Sequence, residues 1–407
     1  MRRTRFATTA VALAGASLLL VGCTTPGGDG GSERGDEDPY QVLIISGVTG
    51  ALSVNSDAIR TGIDAAVDSI NEDGGINGRE IETTVVDDQS DATRAVTLLQ
   101  EYIADNGKPD LVIAGQTSNE VFSMVPILTR ENIIGISTTG SPDLNDPEKY
   151  PTFFGTSLTF ADTAGAAAEY MKDEGAKKVA VVIVNDATRE TVEPFMKETL
   201  EDLGIEDTGT FAFDPEAIDL SSTFAEAAAT NPDWIYMDGN GAVVPRLFEG
   251  RLKAGAEDIP VTTGLGPVTS GFDQNTTPEQ RENVYTALAP MNAYIDPSDR
   301  TPAMDDLIER VGDLDAATLT LNTYAYGWDF IQIWAAAVEQ AGTADTDEVV
   351  AALEDLDLSG EDAADQPWIM WRNLYTKDSH YPAIGAEDVL FSQVTGERKD
   401  AMMVLAN

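Results

Sequence analysis

Two lobes, each a doubly wound parallel sheet, make up the α/β fold class that the sequence predicts. Three observations predict it. Short, continuous apolar runs alternate with segments of helical period; the alternation starts a second time part-way along; and 407 residues exceed the usual size of one hydrophobic core.

The first cycle begins at Tyr40. "YQVLIISG" is an apolar run of strand length, and "SDAIRTGIDAAVDSINEDGG" places Ile59, Ile63, Ala66 and Ile70 on one helical face. Gly74 and Gly75 supply the positive-φ stop after that helix, and Asn77-Gly78 turns the chain into the next strand, "REIETTVVDD". "DATRAVTLLQEYIADN" follows as a helix with Val96, Leu99 and Ile103 inward, then "PDLVIAG" as a strand, "NEVFSMVPILTREN" as a helix and "IIGIST" as a strand. Asp87, Asp88, Ser90 and Asp91 stand where a helix begins, so they read as caps for its free amides, with ligand or metal contact as the other reading.

The second cycle runs through "KKVAVVIVND", "RETVEPFMKETLEDLG", "TGTFAFDP", "FAEAAAT", "PDWIYMDG", "VVPRLFEGRLKAGA" and "IPVTTG". Its third strand enters through Asn-Pro-Asp at Asp233, as the first cycle's third strand enters through Lys-Pro-Asp at Asp110. Strands and helices at this spacing form right-handed βαβ units. "VYTALAP" and the long helix "LNTYAYGWDFIQIWAAAVEQAG" follow, so the chain is expected to cross between lobes more than once. An irregular end carries Trp368, Trp371, Tyr375, His380 and Tyr381, expected to pack against the second lobe or to line the cleft or a partner-facing patch.

The N-terminus reads as an export signal. Arginines 2, 3 and 5 precede an apolar run too short for a membrane span, and Leu20-Val21-Gly22-Cys23 resembles a bacterial lipobox. Cys23 is the only cysteine, so it is the expected lipidation site and no internal disulfide can form. Residues 1–22 are then the signal peptide, and 23–39, rich in Gly, Ser, Asp and Glu, a flexible tether. The product is expected outside the cytoplasmic membrane, held by its lipid anchor.

Charge and composition exclude other roles. With 25 basic against 70 acidic residues the formal charge is −45, which repels nucleic acid. A single histidine, His380, and no Gly-x-Ser-x-Gly elbow leave no footing for triad catalysis or zinc hydrolysis. No Walker-type loop is present, so no enzyme activity, cofactor or metal is expected.

Three segments carry a resemblance: "SGVTGALSVNSDAIRTGIDAAVDSINEDGGINGREIETTVVDDQSD", "YMDGNGAVVPRLFEGRLKAGAEDIPVTTG" and "YAYGWDFIQIWAAAVEQAG". Together they resemble the branched-chain amino-acid (Leu/Ile/Val-binding-protein-like) class of substrate-binding lipoprotein that feeds ABC importers. The resemblance implies a type I periplasmic-binding-protein fold with a three-strand hinge, a monomer that closes on a small ligand and delivers it to the permease transmembrane subunits. It implies crossovers near residues 154–157, near 284–287 and after about Gly342. Lobe one would then comprise 40–156 and 285–344, and lobe two 157–284 and 345–407 with the tail. A lipoprotein that presents its bound state to a receptor would have the same cleft.

Ligands of open parallel sheets bind beyond the carboxyl ends of the strands. In lobe one this selects Gln116, Thr117 and Ser118 after the third strand and Ser137, Thr138 and Thr139 after the fourth. Hydroxyls beside helix-start amides suit a carboxylate or amide oxygen, and each could equally be an N-cap. The resemblance assigns these two loops to the ligand's carboxylate, with Thr117, Ser118 and Thr139 foremost. In lobe two the loops offer Asn185 and Asp186, then Asp238 and Asn240, then Leu265. Where the family carries an acid for the ligand's ammonium group, this chain has Leu265 and Gly266, so Asp238, or else Asp186, must replace it or the ligand lacks that group. The expected ligand is an amino acid or a related amide or carboxylate.

Overall fold

A computed structural model describes residues 38–50, 52–156, 160–314, 317, 319–356, 366–370, 374–382 and 389–406. The expected signal peptide, Cys23, most of the tether and Trp371 lie outside them.

The first sheet contains β1 (Tyr40–Ser46), β2 (Ile81–Asp87), β3 (Leu111–Ala114), β4 (Ile134–Ser137) and β5 (Phe153–Gly155), all parallel, in the order β2-β1-β3-β4-β5. The apolar run of β1 has a physical cause in the two buried faces. Val42 and Ile44 point into a core shared with helix α1 (Ser53–Glu72), while Leu43 and Ile45 point into another built with α2 (Ala92–Asn106) and α3 (Ser118–Glu131). In α1, Ile59, Ile63 and Ala66 are buried as the period predicts, while Ile70, in the last turn, is only half-buried. Gly74, Gly75, Asn77 and Gly78 all take positive φ, as the turn requires. In α2 the inward face is Ala95, Leu99 and Tyr102, with Val96 and Ile103 at its margin.

The second sheet is built from β6 (Lys178–Val184), β7 (Glu206–Phe213), β8 (Trp234–Asp238), β9 (Val261–Thr263) and β10 (Val284–Leu288), parallel throughout. Its helices are α4 (Phe160–Asp173), α5 (Ala187–Asp202), α6 (Ser221–Ala228) and α7 (Val244–Lys253), with the short α8 (Leu265–Thr269) and α9 (Phe272–Asn275) after β9. The two Pro-Asp entries perform one task. Asp110 accepts a hydrogen bond from the amide of Gln41 (2.7 Å), and Asp233 accepts from those of Lys177 (2.9 Å) and Lys178 (3.1 Å). Each carboxylate ties the start of the third strand to the start of its lobe's first strand.

Among the described residues, α10 (Pro302–Val311), α11 (Leu321–Ala341) and α12 (Thr346–Leu353) follow. The chain ends with β11 (Leu390–Ser392), antiparallel to β10 at the edge of the second sheet, and a hairpin of β12 (Val394–Lys399) and β13 (Met402–Leu405). The order of the second sheet is therefore β11-β10-β9-β8-β6-β7.

Two boundaries differ from the sequence reading. β10 completes the second sheet, so the chain leaves lobe two after Leu288 and not at residue 284. The described residues between 345 and 381 pack on lobe one instead of lobe two: α12 joins the core with α1 and α11, and Thr346 donates to the Asn132 carbonyl. The aromatic tail also belongs to lobe one. His380 stacks on Phe154 with ring centres 4.1 Å apart, Tyr375 lies 4.8 Å from the same ring, and Tyr381 packs with Val121 and Phe153. His380 lies between two acceptors, the Phe153 carbonyl and Glu354 Oε1, and serves as a buried tie between tail and edge strand. The Asp329 carboxylate on α11 accepts the amides of Ile369 (2.7 Å) and Met370 (2.8 Å), fixing the segment before it. Such partners stand dozens to hundreds of residues apart, beyond any local pattern.

Helices α1 and α11 meet backbone to backbone at two glycines. A Cβ on Gly62 would overlap the Tyr324 carbonyl oxygen, and one on Gly327 the Ile59 carbonyl oxygen. Alanine in a free helix is favoured over glycine by about 1 kcal/mol, but here the obstacle is rigid backbone, and overpacking of this kind costs about 1–3 kcal/mol. Gly327→Ala is therefore expected to destabilise the fold, read as a lower midpoint of chemical denaturation; a raised midpoint would show the helices free to separate.

Candidate functional site

At the carboxyl edge of the first sheet, the loops after β3 and β4 are tied together. Ser137 Oγ donates to the Gly115 carbonyl (3.0 Å), the Thr139 amide donates to Ser137 Oγ (3.3 Å), and the Ser118 and Thr139 hydroxyls lie 3.0 Å apart. Thr117 is an N-cap: its hydroxyl accepts the Glu120 amide while Glu120 Oε2 accepts the amides of Thr117 and Gln116. Gln116 Oε1 accepts from Ser56 Oγ (3.3 Å), joining this loop to α1. Of the six lobe-one residues, Thr138 turns into the cleft; Ser137 and Thr139 are buried scaffolding, and Ser118 is exposed beside Thr139.

The lobe-two residues are dispersed. Asp186 caps α5 by accepting the Thr188 amide (2.9 Å), and Asn185 Oδ1 accepts from Arg189 (2.7 Å). Asn240 is exposed, 3.5 Å from the Thr188 hydroxyl. Asp238 is buried beneath the loops: Oδ1 accepts the amides of Gly239 (2.9 Å) and Gly266 (3.2 Å), and Oδ2 accepts the Tyr236 hydroxyl (3.2 Å). A Cβ at Gly264 or Gly266 would strike this carboxylate, which is why glycines follow β9. Burial pushes Asp238 up to about 7, against the hydrogen bonds that favour its charge, with Asp186 adding to the rise.

Between the lobes lies a cavity of about 140 Å³. This approaches the roughly 150 Å³ apolar cavity known to admit benzene, which sets the scale of a small organic molecule. Thr138 and Leu265 are the two predicted residues that line it. Its other walls escaped the sequence reading. Asn55 and Ile59 come from the first turns of α1; Thr320, Asn322, Thr323 and Tyr326 come from the start of α11; Asn292 follows β10. Arg398, from the terminal hairpin, is the only charged side chain among the described lining residues. Its Nε and Nη2 each lie 2.7 Å from an oxygen of Asp273, which is buried. The run "TLTLNTY" before α11, hydroxyls and an amide at a helix start without an acid, was the one available signal for this wall.

The sequence pattern of the periplasmic binding protein family matches residues 39–382. The chain belongs to this family. It is 26% identical over 318 residues to the Leu/Ile/Val-binding protein BraC3 of Rhizobium johnstonii, covering 77% of this chain and 82% of that one. To the leucine-, isoleucine-, valine-, threonine- and alanine-binding protein of Pseudomonas aeruginosa it is 22% identical over 320 residues, 78% and 82% of the two chains. A type 1 periplasmic binding protein structure from Bordetella pertussis superposes with a TM-score of 0.71 at 20% identity, covering 91% of this chain and all of that one. The branched-chain amino-acid-type periplasmic binding protein read from sequence, with its type I fold, is thereby established. Its family is one of periplasmic binding proteins, which work outside the cytoplasm. No helix of the described residues is long and apolar enough to cross a membrane.

The buried Asp238 makes a prediction about stability. Its folded pKa lies above the unfolded value of about 3.9, so its contribution is fully present below about pH 4 and is lost as pH rises through about 7. Asp238→Asn keeps an acceptor for the two glycine amides and removes the titration. The stability difference between the wild type and this variant, followed by denaturation at pH 4 to 8, should shift in the variant's favour as pH rises; a flat difference would mean that the carboxylate does not change its protonation on folding.

Proposed function

We propose that the chain is the extracytoplasmic solute-binding component of an ABC importer, tethered to the outer face of the cytoplasmic membrane through lipidated Cys23. It captures a small polar organic ligand, an amino acid or a related amide or carboxylate, between its lobes and delivers it to the permease transmembrane subunits as a monomer. The observation that carries this reading is the cavity, which takes Thr138 from lobe one and Leu265 from lobe two and is sized for one small molecule. Support for the ligand class comes from relatives whose names state Leu/Ile/Val binding.

Lobe two has two cores of its own, and the main core of lobe one takes in only a few lobe-two side chains such as Ala166 and Ala287, so lobe closure needs the crossing segments to bend and those few contacts to slide. Ser118 offers its hydroxyl at the cleft edge, held there by the buried Thr139 hydroxyl 3.0 Å away, and Thr138 reaches the interior. Gln116, Thr117 and Ser137 hold those loops in place. In lobe two, Leu265 forms the apolar wall, while Asn185, Asp186, Asp238 and Asn240 shape the loops behind it.

A ligand that binds only the folded state adds about 2.7 kcal/mol at a hundredfold excess over its Kd. A thermal-shift screen of the purified chain against amino acids, amides and carboxylates should find at least one stabilising compound, and X-ray scattering should show contraction with it. If no compound raises the melting temperature or contracts the molecule, the solute-binding reading falls. For the anchor, Cys23→Ala should move the protein from the membrane fraction to the medium or soluble envelope fraction; unchanged membrane retention would refute lipidation there.

A further inference from the structure

We infer that the cavity is built for a small carboxylate that carries no ammonium group, an inference that rests on the solute-binding reading above. The first observation is what the cavity walls offer. Arg398 is the one charged side chain among the described lining residues, its charge largely offset by the Asp273 carboxylate behind it, and no carboxylate stands among those lining residues. Asn292 and Asn322 are 2% and 8% exposed, and the side-chain oxygen of each is occluded with no hydrogen-bond partner among the described residues. The part of each amide that can meet a ligand is therefore its nitrogen, a donor. Hydroxyls of Thr138, Thr320 and Thr323 complete a wall able to donate from several sides.

The second observation is the backbone. The cavity is lined by the first turns of two long helices, α1 with 20 residues and α11 with 21. Neither has a side-chain hydrogen bond at its N-cap, and neither has an acid in its first turn. Two helix starts whose amides are not answered by a capping side chain add positive potential to the same space.

An ammonium group has no counterpart here. Leu265 occupies the wall where an acid would be required, and Asp186 and Asp238 are committed to backbone amides away from the cavity. Burying an ammonium against amide nitrogens, a guanidinium and helix N-termini would leave it unpaired. The carboxylate end meets the donors, and Ile59, Leu265, Val268 and Leu319 leave an apolar wall for a short aliphatic body.

Three probes that share one branched alkyl chain decide the matter: 4-methylpentanoate; leucine, which adds the ammonium group; and 3-methylbutylamine, which has the ammonium group and lacks the carboxylate. Titration calorimetry on the full chain in detergent should show 4-methylpentanoate bound at least tenfold more tightly than leucine, with no heat from the amine. Leucine bound equally or more tightly, or the amine bound at all, overturns this inference and leaves the solute-binding reading standing. If none of the three binds, the compound found in the wider screen decides: a carboxylate without an ammonium supports the inference, and an amide or amino acid overturns it. If the whole screen is empty, both readings fall together.

Asn322→Asp, nearly isosteric, separates binding from folding. It should weaken 4-methylpentanoate at least tenfold and bring 3-methylbutylamine into measurable binding. A changed melting temperature with the same charge preference would mark Asn322 as merely structural and overturn its place in the site.

Discussion

The crossing of α1 over α11 is the constraint on which the rest depends. Because Gly62 and Gly327 lack side chains, the helices approach to backbone distance about two turns or less from Asn55 and Asn322. That closeness brings two helix starts to one cavity. Any side chain at the crossing would push the helices apart and with them the donors they carry. The same helices form the main core with β1, so the site's geometry shares its stability with the largest apolar cluster of the molecule.

Much of the architecture was legible because its causes are local. Strands covered on both faces read as continuous apolar runs, as Val42 to Ile45 show by pointing alternately into two cores. Positive-φ turns announce themselves through glycine and asparagine at residues 74–78. The tail was not legible. What places it is a Phe154 ring that stacks on His380, and an Asp329 carboxylate that receives amides some forty residues on; neither partnership leaves a periodic trace. Aromatic composition showed that the tail would pack, but not on which lobe.

The site divided along similar lines. Loop positions beyond strand ends follow from topology, and Thr138 and Leu265 line the cavity for that reason. Side-chain direction does not follow from topology. Asp238 stands at the end of β8, where a ligand-facing acid is plausible from sequence, yet its oxygens are taken by Tyr236, Gly239 and Gly266. Without Cβ atoms at 264 and 266 the loop collapses onto the carboxylate, converting a candidate receptor group into an internal clasp. Arg398 presents the reverse case: a terminal hairpin far along the chain from the cleft loops delivers the only charged side chain among the described lining residues.

A formal charge of −45 repels an anionic ligand at long range, and the distance scale resolves the conflict. Exposed charges are screened over a Debye length of about 8–10 Å at physiological salt, so the acidic surface acts chiefly on the approach of an anion. Within the cavity the nearest groups are amide nitrogens, hydroxyls, helix N-termini and the Arg398–Asp273 pair, whose charges largely cancel. Fixed dipoles at contact distance outweigh a diffuse, screened field. The acidic exterior governs arrival and solubility, while the neutral, donor-rich interior governs what is held; the two can differ in sign because water and salt stand between them.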